Sequence, residues 1–168
     1  FCMSFYSMAQ CPAGGVTLNT QAQVDNFLIT YPTCTTINGG VLITDNGTDP
    51  ITNLQGLSHI TTITGDLQIT GNPTLSSLSD LQNLTTVTNG IGLLNTALTN
   101  LHGLEQLTST SGFSVSGNLT LTDISALSGV TSVGITGIAF LNNPALTSLN
   151  GLQNITTNGG RLYILNND

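Results

Sequence analysis

The residues able to carry chemistry are few in this chain, and their spacing does not gather them. Asp25, Asp66, Asp80, Glu105 and Asp123 are scattered, whereas a catalytic pair of carboxylates needs a fixed separation across one cleft. Serine is abundant, yet there is no Gly-x-Ser-x-Gly turn, no cysteine nucleophile and no histidine-plus-acid grouping. Asp45-Asn46-Gly47-Thr48-Asp49 has the faint look of an acidic metal loop. Calcium, however, takes about six to eight oxygens, and two aspartates around a turn supply too few. His59 and His102 are remote from each other and are expected on exposed turns. These residues predict neither an enzyme nor a metal site, and no cofactor is expected.

Charge narrows the partners further. The 168 residues include 8 acids and a single base, Arg161, for a formal net charge of -7, and only 5% of positions are charged. A chain with one cation cannot neutralise a row of phosphates, so nucleic acid and anionic membrane surfaces are excluded as partners. No stretch approaches the ~20 apolar residues of a membrane span, so no membrane insertion is expected. Aliphatic residues are nevertheless plentiful enough to build a core.

Residues 1–9, Phe1 to Ala9, are apolar, uncharged and end in a small-x-small pattern, as the tail of a secretory signal peptide does, with cleavage before Gln10. That places the protein outside the cell, secreted or on the outer surface. Cys11 and Cys34 then remain, and two cysteines in an exported, sparsely charged chain favour a disulfide. Between them Val24, Phe27 and Leu28 fall at i, i+3, i+4. That spacing predicts a short helix, with Asn19 or Thr20 to cap it and Pro32 to end it. Residues 10–36 are expected to form a disulfide-pinned cap.

From residue 37 to 168 the chain repeats. Asparagines follow short alternating apolar runs at Asn46, Asn72, Asn95, Asn118, Asn143 and Asn167. Three residues after most of them stands a leucine (Leu75, Leu98, Leu121, Leu146), and apolar residues then recur at every third position, as in Leu75, Leu78, Leu81, Leu84 and Val87. Each unit closes on a period-two segment beside glycine, such as Leu67-Gln68-Ile69 or Phe113-Ser114-Val115. Alternation is a strand with one face inward. Period three suits neither a long α-helix nor a strand, but suits tightly turning chain that sends one residue in three to a shared interior. Units of about 24 residues cannot bury such a face alone, and stacking them makes one core. The expected fold is therefore mainly β, a right-handed solenoid, in which the asparagines form an interior ladder of amides bonded to neighbouring coils. The pattern stops in mid-repeat at Asp168, so the solenoid is expected to be truncated there.

These features resemble the receptor L-domain, a leucine-rich-repeat-like β-helix, and most closely its Thr/Asn-rich versions in secreted bacterial surface proteins. The resemblance rests on the period, the closing strands, the asparagine turns and the run Gly65-Asp66-Leu67-Gln68-Ile69-Thr70-Gly71-Asn72. In that family a disulfide-linked cysteine, a short helix and a second cysteine precede the first strand. Cys11, the Val24–Ile29 stretch, Cys34 and Gly40-Val41-Leu42-Ile43 occupy those places. The cysteine-rich modules of the receptors are absent, so no receptor-type binding residue is carried over.

One surface feature remains. Threonines follow the last leucines of each unit: Thr61, Thr62 and Thr64; Thr85, Thr86 and Thr88; Thr108 and Thr110; Thr131; Thr156 and Thr157. Stacked coils would bring them together about 4.8 Å apart, giving β-propensity and solubility without charge, or a flat recognition face. The function expected is a non-enzymatic extracellular interaction module, for adhesion or for binding a protein or glycan along that face. A structural spacer in a larger surface protein is the alternative. Ice binding is a third reading, weakened by the uneven patches and wandering repeat length.

Overall fold

The structure, a computed structural model, describes residues 10–167, so the expected signal-peptide remnant at 1–9 lies outside the described residues. Within them the chain is mainly β, with ten strands: β1 (Val16–Leu18), β2 (Thr36–Ile37), β3 (Val41–Thr44), β4 (Thr62–Ile63), β5 (Leu67–Asn72), β6 (Thr86–Thr96), β7 (Ser109–Ser116), β8 (Ser132–Leu141), β9 (Thr157–Asn158) and β10 (Leu162–Leu165). The alternating runs account for the main sheet. It stacks β1-β3-β5-β6-β7-β8-β10 with every pairing parallel. The inward column Val41, Leu67, Ile91, Phe113, Ile138 and Leu162 steps by 26, 24, 22, 25 and 24 residues. Two residues on, Ile43, Ile69, Leu93, Val115, Phe140 and Ile164 form a second inward column. A second parallel path joins β2, β4 and the start of β6, then the start of β8 and β9.

Parallel neighbours require a crossover of about a dozen residues, and the period-three segments are those crossovers. Leu75, Leu78, Leu81, Leu84 and Val87 are all buried, as are Leu121, Ile124, Leu127, Val130 and Val133. Short 3₁₀ turns fall inside three of the segments, at Gln55–Leu57, Ser79–Leu81 and Ser125–Gly129. A 3₁₀ turn has three residues per turn, so a side chain at every third position keeps facing the same way. The segment with Leu98, Leu101, Leu104 and Leu107 buries every third residue without one, so the 3₁₀ turns suit the period but are not required for it. The buried side chains from strands and crossovers form one continuous cluster that also takes in Val24, Phe27 and Cys34.

Before the repeats, β1 pairs with β3 and the helix α1 (Gln21–Thr30) lies against the first 3₁₀ turn. Thr20 caps α1, its Oγ1 accepting from the Gln23 backbone N–H at 3.1 Å. Val24 and Phe27 are buried and Leu28 is half-buried. The helix comes so close to the first turn that a Cβ on Gly56 would collide with the Val24 carbonyl. Cys11 and Cys34 form a disulfide that closes a 23-residue separation, worth about 3 kcal/mol by loop entropy. At the other end none of the described residues covers β10. Leu162 is 57% exposed and Ile164 37%, although both stand in the inward columns.

Candidate functional site

Two columns of polar side chains run along the stack, one buried and one exposed. The buried column is the continuation of the main-sheet strands. Asn118 Oδ1 accepts from the backbone N–H of Thr96 (3.0 Å) and from Thr96 Oγ1 (2.6 Å). Asn143 Oδ1 accepts in the same way from the backbone N–H and the Nδ2 of Asn118, and Asn167 Oδ1 from those of Asn143. Each amide nitrogen in turn donates to a strand carbonyl one coil back: Asn72 to Ile43, Asn118 to Leu93, Asn143 to Val115 and Asn167 to Phe140. Asn72, Asn118 and Asn143 are fully buried, and pairing of this kind is what makes a buried amide tolerable.

Two of the six asparagines expected in this ladder are elsewhere. Asn95 is exposed, and its neighbour Thr96, in register with Asn72, takes the inward place. Asn95 instead holds a left-handed turn (φ 53°), and the same turn recurs at Gly71, Gly117, Asn142 and Asn166. Only glycine and asparagine occupy it, because they accept positive φ at least cost. The missed signal was therefore the Gly or Asn placed one residue before every ladder position. Asn46 is also exposed. Its backbone N–H donates to Asn19, and its side chain accepts from Thr48. As a result the buried Asn72 Oδ1 has no hydrogen-bond partner.

The exposed column lies on the second, shorter path of strands. Thr35, Thr61, Thr85, Thr108, Thr131 and Thr156 come one above another. Thr61 and Thr85 each direct backbone N–H and hydroxyl to the carbonyl one rung back (Thr35, Thr61), and Thr156 does the same to Thr131. Beside it stand Thr36, Thr62 and Thr86, then Ser109, Ser132 and Thr157. Thr64 and Thr88 continue the same face and are exposed. Thr110 does not belong to it. It is 6% exposed, in register between Val87 and Val133 on the inward side, where its hydroxyl reaches the Asn89 carbonyl at 3.3 Å. Thr35 and Thr36 extend the face by one rung, and Thr35-Thr36-Ile37 matches Thr61-Thr62-Ile63 and Thr85-Thr86-Val87 in sequence. A groove of about 350 Å³ runs along this face, lined by Thr86, Thr88, Ser109, Ser111 and Ser132 among others.

Ionisable groups belong to neither column, although His102 and Glu105 share a groove with Thr85 of the exposed one. His102 Nδ1 is 2.8 Å from Glu105 Oε1, and its Nε2 is 3.9 Å from Asp123 Oδ2, at an open groove of about 660 Å³ on the 3₁₀ side. Burial works to raise the Glu105 pKa, but hydrogen bonds from His102 and from backbone N–H groups outweigh it and hold the carboxyl below its ordinary value. Asp123 is likewise lowered, chiefly by the Ser125 backbone N–H. His59 is not on an exposed turn: it is half-buried against Phe27, with Nε2 3.1 Å from the Tyr31 carbonyl. Among the described residues, no three His, Cys, Asp or Glu side chains are grouped to hold a metal ion.

A family described as Receptor L domain matches residues 33–168 by its sequence model. Domains of that family are extracellular and bind ligands, and are not known as enzymes. The match starts just before Cys34, so β1, α1 and Cys11 precede it. Neither a curated protein nor a solved structure matches the chain. Among the described residues no helix is long and apolar enough to cross a membrane.

Proposed function

The chain belongs to the Receptor L domain family, and from that premise we propose a non-enzymatic module of the cell surface or secreted milieu that binds an uncharged protein or glycan along its threonine face. The observation that carries this reading is the pair of adjacent threonine and serine columns, made of uncharged side chains, with Thr61, Thr85 and Thr156 each tied by its hydroxyl to the rung before. Hydroxyls that donate inward to a backbone carbonyl keep their lone pairs for an external donor. Rigid side chains lose little freedom on binding, which favours recognition by a face rather than by a loop. The same reading takes the chain as a right-handed coil, the hand that parallel strands joined by crossovers adopt. Its coils are about 24 residues long, and residues 10–36 close one end.

The test is a glycan array and an adhesion assay on the purified chain, with alanine placed together at Thr61, Thr85, Thr108, Thr131 and Thr156. We expect binding to fall while the circular dichroism spectrum and Tm hold. Equal loss from alanines on the outer faces of the crossovers sinks the threonine-face reading. An absence of any partner, with in-frame loss of one coil tolerated by the cell, favours the spacer instead. Ice binding is the weakest reading: Ser109 and Ser132 interrupt the threonines, and the strand register breaks between Val87 and Gly90 and between Thr110 and Gly112.

A further inference from the structure

The acidic loop after β3 carries an arrangement that no ligand-binding role uses. Five asparagines precede glycine, at Asn38, Asn46, Asn89, Asn150 and Asn158. In such a pair the glycine backbone nitrogen can attack the asparagine side-chain carbonyl to close a five-membered imide, unhindered by a Cβ. Two groups accelerate that step: a base on the attacking N–H and hydrogen-bond donors on the carbonyl oxygen where negative charge develops. At Asn46 both are in place. The Gly47 N–H donates to Asp45 Oδ1 at 2.6 Å. Asn46 Oδ1 accepts from the Thr48 backbone N–H at 2.9 Å and from Thr48 Oγ1 at 2.8 Å.

The other four pairs lack the combination. The N–H groups of Gly39, Gly151 and Gly159 donate to neutral oxygens of Thr64, Gln153 and Val133, which are poor bases. The Gly90 N–H meets a carboxylate, Asp66 Oδ1 at 3.0 Å, but Asn89 and Gly90 lie inside β6 and the Asn89 side chain receives no donor among the described residues. The Asn46 loop, by contrast, is exposed from Asn46 to Thr48, and Gly47 takes a φ of 78°.

We propose that Asn46 is a self-modifying site, where Asp45 and Thr48 drive imide formation with Gly47. Asp45 takes the Gly47 amide proton as the nitrogen–Cγ bond forms, and Thr48 holds the oxyanion. Asp45 then returns the proton to the departing amine, the Cγ–nitrogen bond breaks and ammonia leaves. Water opens the imide to aspartate or isoaspartate, so the net change is amide plus water to carboxylate plus ammonium. The product adds a negative charge between Asp45 and Asp49. Asp49 grips the start of α1, accepting from the backbone N–H groups of Gln21 (3.2 Å, to its carbonyl) and Ala22 (2.9 Å, to Oδ2), while the Asn46 N–H donates to Asn19. The modification therefore strikes where the first coil holds the helix.

Peptide mapping by mass spectrometry, after incubating the purified chain at neutral pH, reads the conversion at all five sites. Asn46 is expected to convert ahead of Asn150 and Asn158. General-base help is typically worth a hundredfold or more, so Asp45→Asn should slow Asn46 by at least about tenfold. Thr48→Val, which keeps the backbone donor, should slow it less, and the rate at Asn150 should stay the same in both variants. The proposal is overturned if Asn46 converts no faster than Asn150 and Asn158, or if either variant converts at the parent rate.

Discussion

The far rungs of the buried asparagine ladder and its first rung are built from the same residue in the same register, yet they are satisfied differently. From Asn118 to Asn167 every side-chain oxygen in the column accepts from the rung before it. At the first rung the chain makes a wider excursion, with 26 residues between Val41 and its partner Leu67. The extra residues follow Asn46, whose N–H donates to Asn19 and whose side chain is exposed. Asn72 Oδ1 is left buried without a donor. Residue type and register therefore do not suffice to make a rung. The rung before must also turn its N–H inward, as Asn46 does not.

The sharpest way to break this comparison is to remove one rung from each part. Asn143→Ala deletes an acceptor used twice by Asn118 and a donor to Val115, and leaves the buried Asn118 backbone N–H without its partner. Unpaired buried groups cost about 1–3 kcal/mol each. With partial relaxation, the variant should lose about 3 kcal/mol in urea unfolding. Asn72→Ala loses bonds from Nδ2 to Ile43 and Thr70 but also removes an oxygen that was already unsatisfied. Its loss should be nearer 1 kcal/mol, since part of the penalty is present before mutation. Equal losses from the two substitutions would mean that an unseen donor reaches Asn72 and that the rungs are alike.

The strands and the inward columns were legible because burial writes its period directly into the sequence. The alternating runs became β3, β5, β6, β7, β8 and β10, and the period-three leucines became crossovers. At Asn95 the ladder departs from the asparagine pattern by one residue for a physical reason. Asparagine serves both the left-handed turn and the interior amide, so Asn95-Thr96 and Asn142-Asn143 look different while doing the same work. Thr110 leaves the exposed face because threonine is small enough to turn inward between Val87 and Val133. The strand β1 escaped notice since three residues, Val16-Thr17-Leu18, are too few to show a period. The unpaired Asn72 oxygen was not legible, because spacing does not say which buried polar groups will be left over.

The smallest expected effect extends the contrast to the solvent-facing polar cluster. Glu105 pairs with His102 and accepts the Gly103 N–H at 2.7 Å, but its side chain is 44% exposed. Its native pKa lies below the ordinary 4.5, with burial opposing and the hydrogen bonds prevailing. A carboxylate lowered on folding adds stability that is present above its unfolded pKa and lost as pH falls through the native one. At neutral pH, Glu105→Gln should therefore cost no more than a few tenths of a kcal/mol, on the order of an exposed ion pair. That cost should shrink toward nothing as the pH drops below 4.5. The Asn143→Ala loss involves no titrating group and should persist across the same range, measured by urea unfolding at each pH. A Glu105→Gln cost that grew toward acid would reverse the sign of the shift, and a cost near that of Asn143→Ala would show that exposure does not separate the two kinds of polar contact.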